Sequence, residues 1–290
     1  MYVIEVPFLD LNQIYESAQP LRWIKLRDNK YVIQDGHFAL KVEQKKGRLI
    51  MSCTEEEFYN KWYDYFDMGT DYGNTYFKLC RNGGDFLKVC AVRNGGVRVI
   101  HQDLFECIIT HIIYSNCDSH IAEFMLNNFV RMCGVEHVQG MREAGRIRWY
   151  EFPTPEAIIE NINNLDLPEK ACNEIRNICE DIIEGWLDIG ELKEMEPDEA
   201  HSYLVEFCAN DMVLDFITLY GLHDLKWFPQ NRFIADIIER EFWDVEVFAE
   251  EYLENLPGQE GIAYMYIVGN EINPPRNLAD EMKVGAHRWG

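Results

Sequence analysis

Residues 207–231, FCANDMVLDFITLYGLHDLKWFPQN, combine a short polar turn, an apolar segment and a Phe-Pro corner. The turn, CAND, precedes a run in which apolar side chains recur at the spacing of a buried helix. Proline cannot continue a helix, so Phe228-Pro229 predicts a change of chain direction. The segment therefore predicts a helix that other helices must cover.

The flanking sequence changes character near residue 100. Residues 1–95 alternate apolar and polar side chains in short runs separated by RDNK, KKG and RNGG, which predicts strands and hairpins. After residue 100, apolar residues recur at i, i+3, i+4 and i+7, with Gly134 as a helix stop and Thr154-Pro155 as a helix start. The fold class predicted is α+β, a sheet-bearing domain followed by a long helical region.

The composition is that of a globular protein. The chain has 290 residues, 47% of them hydrophobic, which is enough for a sizeable core. We find no membrane-length apolar stretch and no signal-peptide pattern at the beginning, so we expect a cytoplasmic protein. Nine cysteines are scattered without Cys-x-x-Cys spacing, which favours reduced, buried thiols over a disulfide or metal framework. We expect no metal and no cofactor.

The charge balance argues against a general affinity for nucleic acid. There are 27 Lys and Arg against 50 Asp and Glu, a formal net charge of −23. Affinity for DNA requires cations at the phosphates, so DNA binding is predicted to be weak or absent. Acidic residues are concentrated in EDIIEGWLDIGELKEMEPDEA and ADIIEREFWDVEVFAEEYLE. These segments are either solvated helix faces or a surface for a protein partner.

Four segments resemble the 8-oxoguanine DNA glycosylase family in order and spacing: SAQPLRW (17–23), WYDYFDMGTDY (62–72), GGVRVIHQDLFECIITHIIYSN (95–116) and WFPQN (227–231). The resemblance implies an N-terminal antiparallel sheet domain similar to the TATA-binding protein over residues 1–95. Two all-helical subdomains of the helix-hairpin-helix glycosylase type would follow over residues 96–290, with a degenerate hairpin near 207–213. In that family an oxidised guanine, flipped out of DNA, is excised in the cleft between the helical subdomains.

The resemblance implies that both catalytic positions have changed. Aligned back from Phe228-Pro229, the family's lysine corresponds to Met212 and its aspartate to Asn231. The lysine amine attacks the sugar and forms a Schiff base, which a thioether cannot do. The aspartate stabilises positive charge on the sugar, and asparagine lacks that charge. We expect Asn231 to be a helix N-cap and Lys226, the nearest lysine, to be a surface residue.

Other functional positions of the family also differ. The resemblance places Ala18 at a glycine that contacts the oxidised base, Tyr264 at the glutamine that reads its edge, and Val268 at the aromatic that stacks on it. The run that fills the gap in DNA retains Asn116 but has Cys117 next to it. The hairpin turn lacks glycine and carries an aspartate where phosphate would bind; its residues are Cys208, Ala209, Asn210 and Asp211.

Two hypotheses about function follow. The first is a glycosylase-like protein of the base-excision-repair family whose catalysis is degenerate and which acts by binding a ligand or partner. The second is an active monofunctional DNA N-glycosylase for another modified base, with Asp211 or Asp224 as the carboxylate that activates water. Loss at the nucleophile, the acid, the hairpin and the base reader together favours the first.

Overall fold

The computed structural model describes residues 1–141, 145–208, 210–242 and 245–272. Its N-terminal part is a five-stranded antiparallel sheet in the order β1-β5-β4-β3-β2. A short helix, α1, Leu11–Glu16, follows the first strand and buries Leu11 and Ile14. The strands are β1 Tyr2–Glu5, β2 Trp23–Arg27, β3 Lys30–Asp35, β4 Phe38–Lys45 and β5 Arg48–Met51.

The sheet register follows from the alternation in the sequence. β3 lies between β2 and β4, with Ile33 opposite Trp23 on one side and opposite Leu40 on the other. All three side chains are buried in one core with Phe58 and Trp62. Such cross-strand apolar pairs stabilise the register, and β3 is buried along its whole length.

The helices follow the sheet and enclose a second core. They include two π-helical turns, of which the first spans Phe58–Trp62 and the second spans Ile217–Gly221. The helices are α2 Glu55–Glu57, α3 Tyr63–Tyr65, α4 Tyr72–Asn82, α5 Gly84–Asn94, α6 Leu104–Asn116, α7 Ser119–Cys133, α8 Pro155–Asn161, α9 Glu169–Glu184, α10 Ile189–Glu194, α11 Pro197–Leu204, α12 Asp211–Phe216, α13 Arg232–Phe242, α14 Val245–Glu251 and α15 Glu260–Ile272.

Helix α6 is the central helix of the fold. Asp103 caps it by accepting a hydrogen bond from the backbone N–H of Glu106 at 3.0 Å. The helix is almost entirely buried, and it packs against α7, α9, α12 and the second π-helical turn. The N-terminal end of α6 faces the sheet domain. The helix is 13 residues long and ends at Asn116.

Buried polar contacts join the sheet domain to α6. The Arg22 guanidinium donates to both carboxylate oxygens of Glu106, at 2.6 and 2.7 Å, and the backbone N–H of Gly36 donates to the same carboxylate. Nearby, the side-chain amide of Gln102 donates to the Gln19 carbonyl, at 2.9 Å. These side chains are nearly inaccessible to water, so the segments that carried the resemblance build the junction between the two parts.

The predicted fold class is confirmed, an N-terminal antiparallel sheet followed by many helices. Two details differ from the expectation. Helices α4 and α5 lie before residue 95, and their buried residues belong to the helical core. A two-stranded hairpin, β6 Glu136–Met141 and β7 Gly145–Tyr150, interrupts the region predicted to be all-helical. Within the described ranges, no helix is long and apolar enough to cross a membrane.

Candidate functional site

The position that the resemblance assigns to the family's lysine lies at the surface. Met212 stands in the first turn of α12, and its side chain is 43% exposed. The backbone N–H groups of Met212 and Val213 donate to Oδ1 of Asn210, at 3.2 and 3.4 Å. Asn210 is thus a helix N-cap, and the turn that would hold a phosphate in a helix-hairpin-helix supplies a carboxamide oxygen to its own helix.

The position of the family's aspartate is also used for capping. Oδ1 of Asn231 accepts a hydrogen bond from the backbone N–H of Ile234 at 3.1 Å, which is the N-cap geometry expected from the sequence. Its Nδ2 lies 3.5 Å from the Tyr264 hydroxyl. Both ends of the carboxamide are therefore in contact with protein groups, and the side chain carries no charge.

Aromatic rings pack against one another near these positions. Tyr264 is buried, and its ring packs edge-on against Phe228, with centroids 5.6 Å apart. On the facing side, His111 of α6 stacks on Phe216 at 5.0 Å and lies 6.1 Å from Tyr220. Tyr264, which the resemblance assigns to the base-reading glutamine, is therefore a packed aromatic side chain.

His111 is a buried imidazole whose Nε2 has no hydrogen-bond partner in the structure. Burial lowers the pKa of His111 to about 4, because an imidazolium in this position would lose its hydration. The ring is therefore neutral at physiological pH. The sequence analysis missed His111, Phe216 and Tyr220, although Phe216 and Tyr220 have the i, i+4 spacing of one helical face.

Asp215 of α12 is a buried carboxylate that is hydrogen-bonded within the protein. Its Oδ1 accepts a hydrogen bond from the indole N–H of Trp227 at 2.9 Å. Burial raises the pKa of Asp215, while the Trp227 bond acts in the opposite direction. His201 completes this group, since its ring lies 4.3 Å from the Trp227 ring and its Nδ1 is 2.7 Å from the Thr218 hydroxyl.

The two carboxylates proposed for an alternative mechanism lie apart. Asp211 is exposed in the first turn of α12. Asp224 is buried, and its Oδ1 accepts a hydrogen bond from the backbone N–H of Lys226 at 3.0 Å, within the turn that precedes the Phe-Pro corner. The Lys226 residue is exposed.

The remaining positions of the family site are accommodated locally. The Asn116 amide donates to a carboxylate oxygen of Glu174, at 2.9 Å, and Cys117 is half-buried after α6. Ala18 has a left-handed backbone, with φ of 61°, in the place of a glycine. Val268 and Cys208 are buried. Ala209 lies outside the described residues.

No group of three or more His, Cys, Asp or Glu side chains is placed to hold a metal ion in the part of the chain that the structure describes. The nine cysteines are free thiols.

Comparisons with known proteins agree with this architecture. The profile of the family "8-oxoguanine DNA glycosylase, N-terminal domain" matches residues 2–108. None of the curated proteins matches the sequence significantly.

Solved structures extend the likeness to the helical region. The Clostridium acetobutylicum 8-oxoguanine glycosylase/lyase, solved with DNA containing cytosine opposite 8-oxoG, superposes with a TM-score of 0.79 at 22% identity, over 93% of this chain and 94% of that one. MBOgg1, solved with a low-affinity DNA ligand, gives 0.80 at 23%, over 93% and 95%. The 3-methyladenine DNA-glycosylase of Archaeoglobus fulgidus gives 0.72 at 17%, over 94% and 99%. Residues 2–108 therefore match the profile of the 8-oxoguanine DNA glycosylase N-terminal domain, and the chain as a whole has the fold of these solved glycosylases, as its sequence motifs predicted.

Proposed function

We propose that this chain is a catalytically inactive member of the glycosylase fold that acts by binding. The observation that supports it is the chemistry of the two family positions, a half-exposed thioether at Met212 and a helix-capping carboxamide at Asn231. A lyase of this family needs an amine to form the Schiff base, and excision needs an anion beside the developing positive charge on the sugar. Neither group stands at these positions.

The surroundings support the same proposal. A fixed anion in a low-dielectric site contributes several kcal/mol to the transition state, so its replacement by an amide should cost orders of magnitude in rate. Asp215 could supply a negative charge in principle, but its Oδ1 is bound to Trp227. Asp224 is bound within its own turn. The aromatic rings of Tyr264 and Phe216 favour a flat, neutral ligand or a partner side chain in the cleft.

Weak binding of duplex DNA is part of the proposal. The hairpin turn uses Asn210 to cap α12 and exposes Asp211, which repels a phosphate. With a net charge of −23, the chain gains little from counterion release. We infer instead that partners are basic or uncharged.

Borohydride trapping tests the chemical part. We expect no covalent adduct on duplexes that contain 8-oxoguanine or an abasic site, with the active Clostridium acetobutylicum enzyme as positive control. A trapped adduct at any lysine would refute the inactive assignment, and one at Lys226 would show that the nucleophile had moved. Release of free base without an adduct would favour the monofunctional alternative.

Mobility shifts on plain, mismatched and lesion-bearing duplexes test the binding part. We expect no specific complex at physiological ionic strength, because a net charge of −23 opposes the binding of a polyanion. Asp211→Lys is the informative variant: it should strengthen binding at low salt if the hairpin still faces the DNA. Tight lesion binding by the unaltered chain at physiological salt would contradict the proposal.

A further inference from the structure

Trp186 is an exposed tryptophan on the acidic side of the helical region. It follows Gly185, which ends α9 with a left-handed φ of 81°. Its side chain is 66% exposed, whereas Trp23 and Trp62 are buried and Trp149 and Trp227 are half-buried. An indole of this size on the surface is unusual, because its burial is strongly favourable.

Trp186 makes hydrogen bonds through its indole and through its backbone. Its Nε1 donates to a carboxylate oxygen of Glu184 at 3.0 Å. The backbone of Trp186 donates to the Asp181 carbonyl at 2.8 Å, and its carbonyl accepts from the Tyr203 hydroxyl at 2.7 Å. A side chain fixed before binding loses little entropy when a partner arrives, which is the property of an anchor residue.

The surroundings select a positively charged partner. Residues 180–206 contain ten Asp and Glu residues and one lysine, Lys193. The Lys193 ammonium lies 3.3 Å from a carboxylate oxygen of Asp103, so it offsets little of the charge near Trp186. Two exposed apolar side chains, Ile183 and Val205, stand on the neighbouring helix ends.

We propose that Trp186 and its carboxylates dock an arginine-containing segment of a partner protein. A guanidinium stacks on the indole face and donates hydrogen bonds to Glu184 at the edge of the indole. The site therefore matches both the planar shape and the charge of the guanidinium. A lysine can supply the charge but not the planar stacking. The negative charge excludes nucleic acid and anionic lipid as occupants. This surface lies on α9 and the α9–α10 link, so it is independent of the residues at Met212 and Asn231.

The test uses a fluorescein-labelled peptide of alternating arginine and leucine, with lysine and glutamate versions as comparisons, and fluorescence anisotropy at physiological salt. We expect the arginine peptide to bind best and the glutamate peptide not at all. Trp186→Ala should weaken binding about tenfold and Glu184→Gln several-fold. Because Trp186 is exposed, the variant should keep the unfolding midpoint of the parent.

Matched controls come from the sheet domain. Tyr59→Ala removes an aromatic side chain that is 52% exposed, and Glu55→Gln removes an exposed carboxylate. Both should leave the affinity within about twofold. The proposal is wrong if the parent protein does not bind the arginine peptide, if Trp186→Ala binds as well as the parent, or if the two controls weaken binding as much as the Trp186 variant. Its failure would leave the trapping result unaffected, so the two proposals are tested separately.

Discussion

Acidification should destabilise the fold through His111. In the unfolded chain this imidazole titrates near its ordinary pKa of 6.5, whereas in the folded protein burial lowers the pKa to about 4. Between these values the unfolded chain binds a proton that the folded chain does not. Stability is therefore unaffected above pH 6.5 and falls as the pH decreases from 6.5 towards 4.

The size of the effect follows from the two pKa values. At pH 5.5, one unit below the unfolded pKa, the folded state loses RT ln 11, or about 1.4 kcal/mol, relative to neutral pH. The appropriate variant is His111→Phe, which keeps a ring against Phe216 and Tyr220 and removes the titration. Because the other histidines are common to both proteins, their contributions cancel in the difference.

Urea unfolding of the parent and of His111→Phe at pH 7.5 and pH 5.5 measures the contribution of His111 to the pH dependence of stability. When the pH is lowered from 7.5 to 5.5, the free energy of unfolding of the parent should fall by about 1.4 kcal/mol more than that of His111→Phe. A difference that does not change with pH would refute the reasoning. An NMR titration of His111 in the folded protein with a midpoint near its ordinary value would refute it as well.

Three further outcomes are expected. Arg22→Ala should lower the free energy of unfolding by about 3 to 5 kcal/mol in urea denaturation, because it leaves the buried Glu106 carboxylate without its counter-charge. Ala18→Gly should leave the free energy of unfolding unchanged or raise it by up to about 1 kcal/mol, because a φ of 61° suits glycine. A clear fall in the melting temperature would show that the methyl group is needed. Met212→Lys combined with Asn231→Asp should fold, since aspartate also caps helices, yet release no 8-oxoguanine in a glycosylase assay; robust release would mean that the hairpin still binds DNA.

The sequence predicted the parts of the fold in which one local signal determines one element. Thr154 caps α8 through its side-chain oxygen, 3.3 Å from the Ala157 amide, with Pro155 in the first helical position. Asp103 begins α6 and Gly134 follows the last residue of α7. These starts and stops depend on the backbone groups that each helix end leaves unpaired, so they can be read without tertiary information.

Other elements depend on contacts that no local pattern specifies. The Asn-Gly-Gly sequence at 82–84 is typical of a hairpin turn, but here it separates α4 from α5. Gly84 takes a left-handed φ of 64° at this corner, and α5 then packs against α15, far along the chain. The β6–β7 hairpin includes a stacked pair, His137 on Trp149 at 4.3 Å. Its alternation was visible in the sequence but was outweighed by the helical pattern on both sides.

The roles assigned to the candidate-site residues stay predictions, and the structure shows which of these side chains lie together. The resemblance located Met212, Asn231 and Tyr264, and the structure adds that Asn231 and Tyr264 touch each other. His111 was not found because it lies on α6, about a hundred residues before Phe216, and only the tertiary fold brings their rings together. Loop and helix-end residues carry local signals, whereas the contents of a cleft depend on several helices at once.

The pairing of Arg22 with Glu106 makes the two parts of the chain one cooperative unit. The sequence match to the N-terminal family ends at residue 108, inside the second turn of α6. A chain cut there would retain the charged pair but lose the remainder of the helix that shields it from water. We therefore expect the sheet domain to be less stable when it is separated from the helices than within the whole chain. Loss of catalysis would relax selection on the cleft, while this junction would stay under selection for as long as the protein must fold.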